Sequence, residues 1–213
     1  MSATGKAALR RSHAERTDLS DRRMLEAAIA LIIERGTDKT TLKDVGEKAG
    51  YSRGLAGYRF GSKAGLFEFI VRSVSEQWLG ELKSATTGRD GLDALCAAID
   101  EHGRFCIEAS DAVRAFYILW FESIGVQSPV REVINGIHER RLKDVVAWIE
   151  RSDYAGDTGA EAIAGQFNAA VLGIAYQWLA HPDQPETIRA LHDTLKHTMT
   201  LYFAEPTHGR KPS

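Results

Sequence analysis

Cysteine is nearly missing from this sequence, with Cys96 and Cys106 alone among 213 residues. If their segment is helical they stand about 15 Å apart along its axis, too far for a disulfide, and reduced thiols are expected. Proline is scarce at five residues, which leaves no room for proline-rich linkers or collagen-like tracts. No alternation of apolar and polar residues runs far enough to read as a strand, so sheet-based architectures are excluded. Met1 to Leu19 carries Lys6, Arg10, Arg11, His13 and Arg16 but no apolar core of a secretory signal, and a cytoplasmic location is the expectation. Internal repeats and low-complexity tracts are likewise missing.

Long apolar runs are absent too. Ala162 to Ala180 has no charged residue, but Gln166, Asn168, Tyr176, Gln177 and two glycines make it a buried helix rather than a membrane span. No membrane partner is expected. Neither sign of charge dominates, at a net charge of -2, yet the distribution is uneven. Met1 to Lys63 holds 13 basic against 8 acidic residues, whereas Ala64 to Ser213 holds 14 against 21. A basic N-terminal module suits a phosphate-bearing partner, and a larger acidic body suits another task.

What is present is helical periodicity almost throughout, in a chain that is 44% apolar and 26% charged. Ser20 reads as an N-cap, followed by the stripe Leu25, Ala28, Ile29 and Ile32 up to a stop at Gly36. Thr41, with Asp44 three residues on, opens a short second helix that closes before Gly50. Ser52 opens a third, running to about Arg59, and Ser62 a fourth through Leu66, Phe67, Ile70, Val74 and Trp78. Thr86 to Gly91 is a polar break. Further helices are predicted over roughly 92–109, 112–124, 130–151, 160–180 and 186–204, separated by turn-forming clusters. The expectation is an all-α protein of about nine helices: a flexible basic arm over 1–19, a small basic domain over 20–80, a larger helical domain over 81–205, and a disordered tail over 206–213.

Two short helices joined at a glycine and crossed by a third form a helix-turn-helix, with the motif at about 41–60. At about 100° per residue, Arg53, Gly57 and Tyr58 share one side of the third helix, and Ala56 points toward the first two. That outward side holds a guanidinium able to bond guanine, a phenol, and small residues that permit close backbone approach. Thr40 to Phe67, TTLKDVGEKAGYSRGLAGYRFGSKAGLF, together with the helix Met24 to Gly36, resembles the TetR family signature. The resemblance implies DNA contacts from Thr41, Lys43, Arg53, Gly54, Leu55, Gly57, Tyr58 and Arg59, and places Lys63 on phosphate at the start of the fourth helix. It also implies a homodimer with a small-molecule effector, and a role as a repressor on an operator of double-stranded DNA. Gly57 and Arg59 depart from the family pattern, which usually has Tyr and often His there.

Other motifs carry competing readings. Gly50-Tyr51-Ser52-Arg53-Gly54 fits the GxSxG of a hydrolase elbow, but that device needs a strand before the serine, so no enzymatic activity is expected. The histidines show no metal spacing; His192 and His197 read as solvated, and neither metal nor cofactor is expected. Gly165, Ala169 and Gly173, four apart, form a small-residue stripe suited to dimerisation. Aromatic side chains gather in the C-terminal region, most of them core. With a few embedded polar groups, including Asn168 and Gln177, they suggest an apolar or aromatic effector site: His102, Phe105, Phe116, Tyr117, Trp120, Phe121, Glu122, Trp148, Phe167 and Trp178. A ligand-dependent activator, a helical enzyme and a protein-interaction module are the alternatives.

Overall fold

The computed structural model describes residues 13–125, 127–181 and 184–204, without the side chains of His13, Ala14 and Arg53. Among these residues there are nine helices and no strand. They are α1 (His13–Lys39), α2 (Leu42–Lys48), α3 (Arg53–Phe60), α4 (Lys63–Thr86), α5 (Gly91–Glu108), α6 (Ser110–Ser123), α7 (Pro129–Glu150), α8 (Ala160–Ala180) and α9 (Pro185–Phe203). The basic arm up to Ser12 and the tail beyond Ala204 lie outside the described residues.

Helix starts and stops follow local chemistry. Thr41 Oγ1 accepts from the Asp44 backbone N–H at 3.2 Å and donates to the Asp44 carboxylate at 2.7 Å, so the cap of α2 is two-sided. Ser62 Oγ accepts from Gly65 N–H at 3.1 Å at the head of α4, and Ser128 does the same for Arg131 at 3.2 Å in α7. Ser20 differs from expectation: helix begins at His13, and Ser20 lies within it, donating to the Thr17 carbonyl at 2.9 Å. A serine hydroxyl can serve a carbonyl of the preceding turn as readily as a cap. Gly36 is the expected stop, with φ 82° and ψ 168° interrupting α1 before a last short turn.

The chain forms two compact units, Met1–Phe69 and Ile70–Ser213. The division falls inside α4, which the sequence places wholly in the first domain as far as residue 80. In the first unit Met24, Ala28, Ile32, Val45, Ala56 and Leu66 are almost wholly buried, one apolar patch from each of α1 to α4. In the second, α5 packs against α6, α7 and α9, and α8 lies on α6, α7 and α9. Leu95, Ile99, Ile134, Ile149, Ile163 and Met199 fill the centre. Each such side chain contributes about 1.5–3 kcal/mol by leaving water. Among the described residues no helix is long and apolar enough to cross a membrane.

Candidate nucleic-acid interface and C-terminal cavity

The turn between α2 and α3 is held by its backbone. Gly50 has φ 79°, a conformation that side chains with a Cβ rarely adopt, and Gly50 and Tyr51 donate back to Glu47 and Gly46 at 3.1 and 2.9 Å. Ser52 stands at the N-cap of α3 without a side-chain cap bond. It is preceded by a helix and a turn rather than a strand, so the GxSxG pattern lacks the frame of a nucleophile elbow. Ala56 is fully buried, and Tyr58, two residues further on, is 89% exposed. That contrast defines the free face of α3.

The residues assigned to DNA fall into three groups. Thr41, Lys43, Gly54, Tyr58 and Arg59 are exposed, and Leu55 and Gly57 half-buried, on α3 or around the start of α2. Arg53 opens α3, and its side chain lies outside the described residues. Arg59 and Lys63 already have intramolecular partners. The Arg59 guanidinium forks onto the Asp21 carboxylate, with Nε to Oδ1 at 2.8 Å, and this bond raises its pKa. Lys63 Nζ donates to the Asp38 carbonyl at 3.0 Å and lies 5.6 Å from the Phe67 ring centre. Both thereby tie α1 to the helices that follow. The Asp21 pairing went unseen in the sequence because the partners lie 38 positions apart.

A Cβ built on Gly57 meets nothing within 4 Å. Gly57→Ala is therefore expected to stabilise the fold by about 0.5–1 kcal/mol, the helix-propensity difference, observable as a raised urea midpoint. A lowered midpoint would mean that the glycine relieves strain in α3.

In the second unit a line of polar groups crosses the core. His192 Nδ1 is 2.7 Å from the Ile188 carbonyl, which can only accept, so that nitrogen carries the hydrogen. His102 Nδ1 then donates to His192 Nε2 at 2.8 Å, and the Tyr117 hydroxyl donates to His102 Nε2 at 2.9 Å. His192 is 4% exposed, which corrects its reading as a solvated side chain: it faces α5 while His197, five residues on, faces outward. Burial, the neighbouring His192 and the Arg141 cation hold His102 well below the usual histidine pKa, and burial lowers His192. Cys106, 3.8 Å from His102, is pushed up to about 12 by burial. Among the described residues no group of three or more His, Cys, Asp or Glu gathers around a point that could hold a metal ion.

These buried histidines stay neutral in the fold, whereas in the unfolded chain they take up protons near pH 6.5. Stability is therefore complete above that value and falls below it, by up to about 1.4 kcal/mol per pH unit for each neutral histidine. The urea midpoint is expected to drop between pH 6.5 and 5.5, a window above the carboxylate range. An unchanged midpoint would show that the pair is already protonated at neutral pH.

Beside this line lies an inner cavity of about 20 Å³, bordered by Trp78, His102, Phe105, Phe116, Tyr117 and Arg141 among others. That is room for about one water. Of the proposed effector residues it brings together His102, Phe105, Phe116 and Tyr117; Trp120, Phe121, Glu122, Trp148, Phe167 and Trp178 do not line it. Trp120, Phe167 and Trp178 are buried, and Trp148 borders a surface groove of about 520 Å³ between the end of α4 and α7. Glu122 and Gln177 are exposed rather than embedded, each at the edge of the buried stripe of its helix, whereas Asn168 is buried. Gly165, Ala169 and Gly173 are all exposed along one face of α8 beside Tyr176.

Sequence reasoning passed over Arg141. It occupies an apolar-face position of α7, in register with Ile134, Ile137, Val145 and Trp148, and is 9% exposed. A cation inside an apolar stripe was the available signal.

Three packed helices, a tight turn and a free face on the last make the first unit a helix-turn-helix module. Residues 24–70 match the family model of bacterial regulatory proteins, tetR family. The HTH-type transcriptional regulator BetI of Rhizobium meliloti is 31% identical over 98 residues, 44% of this chain and 48% of that protein. The chain thus matches only about half of that relative's length. The fold resembles a transcriptional regulator from Rhodococcus sp. Rha1, with TM-score 0.74, 20% identity and coverage of 85% and 96% of the two chains. It also resembles NalD, the secondary repressor of the MexAB-OprM multidrug efflux pump in Pseudomonas aeruginosa, at TM-score 0.68 and 22% identity, covering 88% and 97%. Over residues 24–70 the chain is thus similar to the TetR family.

Proposed function

We propose that this chain is a homodimeric, sequence-specific DNA-binding repressor that lets go of its operator when a small molecule occupies the C-terminal unit. The observation that carries the reading is the exposed face of α3, with Tyr58 projecting beside the half-buried Gly57 over a fully buried Ala56. Thr41, Lys43, Arg53, Gly54, Leu55, Gly57, Tyr58 and Arg59 form its contact surface. Lys63 reaches phosphate only by sharing or leaving the Asp38 carbonyl. Repression is the sign favoured by the resemblance to NalD.

Dimerisation is assigned to α8, where Gly165 and Gly173 have open space around them and, with the exposed Ala169 between, leave room for a close helix partner. Two recognition helices so related read half-sites about 34–36 Å apart, one turn of the duplex. A ligand releases DNA only by binding better to a state in which that spacing differs, so its preference between the two states sets the response. Val74, Ser75 and Trp78 of α4 line the inner cavity, so this part of α4 is what such a ligand would move.

Selection of bound duplexes from a random library tests this reading. The expected product is a near-palindrome whose half-sites are one helical turn apart; enrichment of single, unpaired sites, or no enrichment, would reject it.

A further inference from the structure

We propose that the effector is an organic anion, a small apolar or aromatic monocarboxylate whose carboxylate pairs with Arg141. This rests on the ligand-release reading above and names the chemical class of the ligand. Arg141 lies in the wall of the inner cavity, nine-tenths buried, with its guanidinium 6.0 Å from the Trp78 ring centre. Among the described residues no carboxylate borders that cavity, and Glu101, the buried acid of α5, is taken by Arg104. A buried cation without a counter-ion is costly, and it is retained where something outside the chain completes it.

The rest of the lining defines what that something is. Val74, Trp78, Phe105, Val113, Phe116 and Ile137 offer apolar contact and no negative charge. The Tyr117 hydroxyl gives its hydrogen to His102, His102 to His192, and His192 to the Ile188 carbonyl, while Ser75 Oγ donates to the Arg72 carbonyl at 2.9 Å. Those hydrogens are committed. Arg141 bonds to the Tyr117 hydroxyl but has no carboxylate partner, and the planar fork of its remaining donors matches the two oxygens of a carboxylate. A quaternary ammonium or other cation is repelled by the Arg141 charge, which already lies over the Trp78 ring, and a neutral molecule leaves the guanidinium without a counter-ion.

At about 20 Å³ the cavity does not hold such a molecule as it stands. Ser75 and Ile137 line both it and an open groove of about 370 Å³ between α4 and α7, so they form the partition between the two. Entry through this partition parts α4 from α7. The anion then draws Arg141 into an ion pair within the apolar wall, where the low polarity strengthens the attraction.

The test uses thermal denaturation of the full-length chain with benzoate, phenylacetate and octanoate, each paired with its neutral amide, and with choline as the cationic control. At least one carboxylate is expected to raise Tm and to bind at least tenfold more tightly than its amide, with choline inert. Arg141→Met should keep or raise the Tm of the unliganded protein and abolish the carboxylate shift; Arg141→Lys, which retains the charge, should restore part of it. Equal shifts from acid and amide, an unchanged acid shift in Arg141→Met, or no shift from any carboxylate would each overturn the proposal. Because the readout needs no DNA, a protein that binds carboxylates through Arg141 yet ignores duplexes would sink the regulator reading alone. One that binds duplexes but no carboxylate would sink this inference alone.

Discussion

Tyr58→Ala is expected to weaken binding to the selected operator by about 1–3 kcal/mol, roughly five- to 150-fold, with the melting temperature almost unchanged. The two halves of this expectation have separate causes. Tyr58 is 89% exposed and buries little surface in the free protein, so its loss removes hardly any packing. On α3 it stands on the face opposite Ala56, where a phenol reaches a phosphate or a base edge. Arg53→Ala is expected to act alongside it and also to relax the choice of base, because a guanidinium that bonds a guanine edge carries sequence information. Anisotropy titrations against the selected duplex and a scrambled one separate these effects. Equal affinity of wild type and Tyr58→Ala for both duplexes would remove α3 from the interface.

Gly65→Ala is expected to destabilise the N-terminal unit by about 2–4 kcal/mol and to abolish operator binding with it. A Cβ at this position would stand 2.2 Å from the Phe60 carbonyl oxygen, a backbone atom at the last turn of the recognition helix. No side-chain rotation relieves that contact. The backbone between α3 and α4 must move, and with it the Gly61 turn, whose φ of 70° has little tolerance of its own. Gly57→Ala, in the same module but with open space around its Cβ, is the matched control and should keep its fold. Urea unfolding followed by circular dichroism reads both; a Gly65→Ala protein as stable as wild type would mean that the α3–α4 turn adapts freely.

Much of the fold was legible because it is encoded in local signals. The Thr41–Asp44 cap, the Gly36 and Gly50 stops and the Ser62 cap are short-range chemistry, and the boundaries of α8 coincide with the prediction. The burial of Ala56 and exposure of Tyr58 followed from the 100° step alone. Distant pairings were not legible. Arg59 meets Asp21, and His102 meets His192 across 90 positions, through contacts that no periodicity encodes. His192 misled the reading because a histidine on a helix gives no sign of which face it occupies until the neighbouring helix is placed. Ser20 misled it because a hydroxyl bonds within a helix as well as at its start. The aromatic richness of the C-terminal region indicated a cavity, but large rings fill space as well as enclose it. Most of these rings close the core, and the charged member of the cavity wall is an arginine.

The most direct measurement is an anisotropy titration of the purified full-length protein against its selected duplex, at low ionic strength and then with rising salt. Saturable binding of two chains per duplex is predicted, weakening steeply as salt competes for the phosphates. A protein that leaves the duplex unbound even at low ionic strength, with its helices intact by circular dichroism, would contradict the assignment of α3 to a DNA groove.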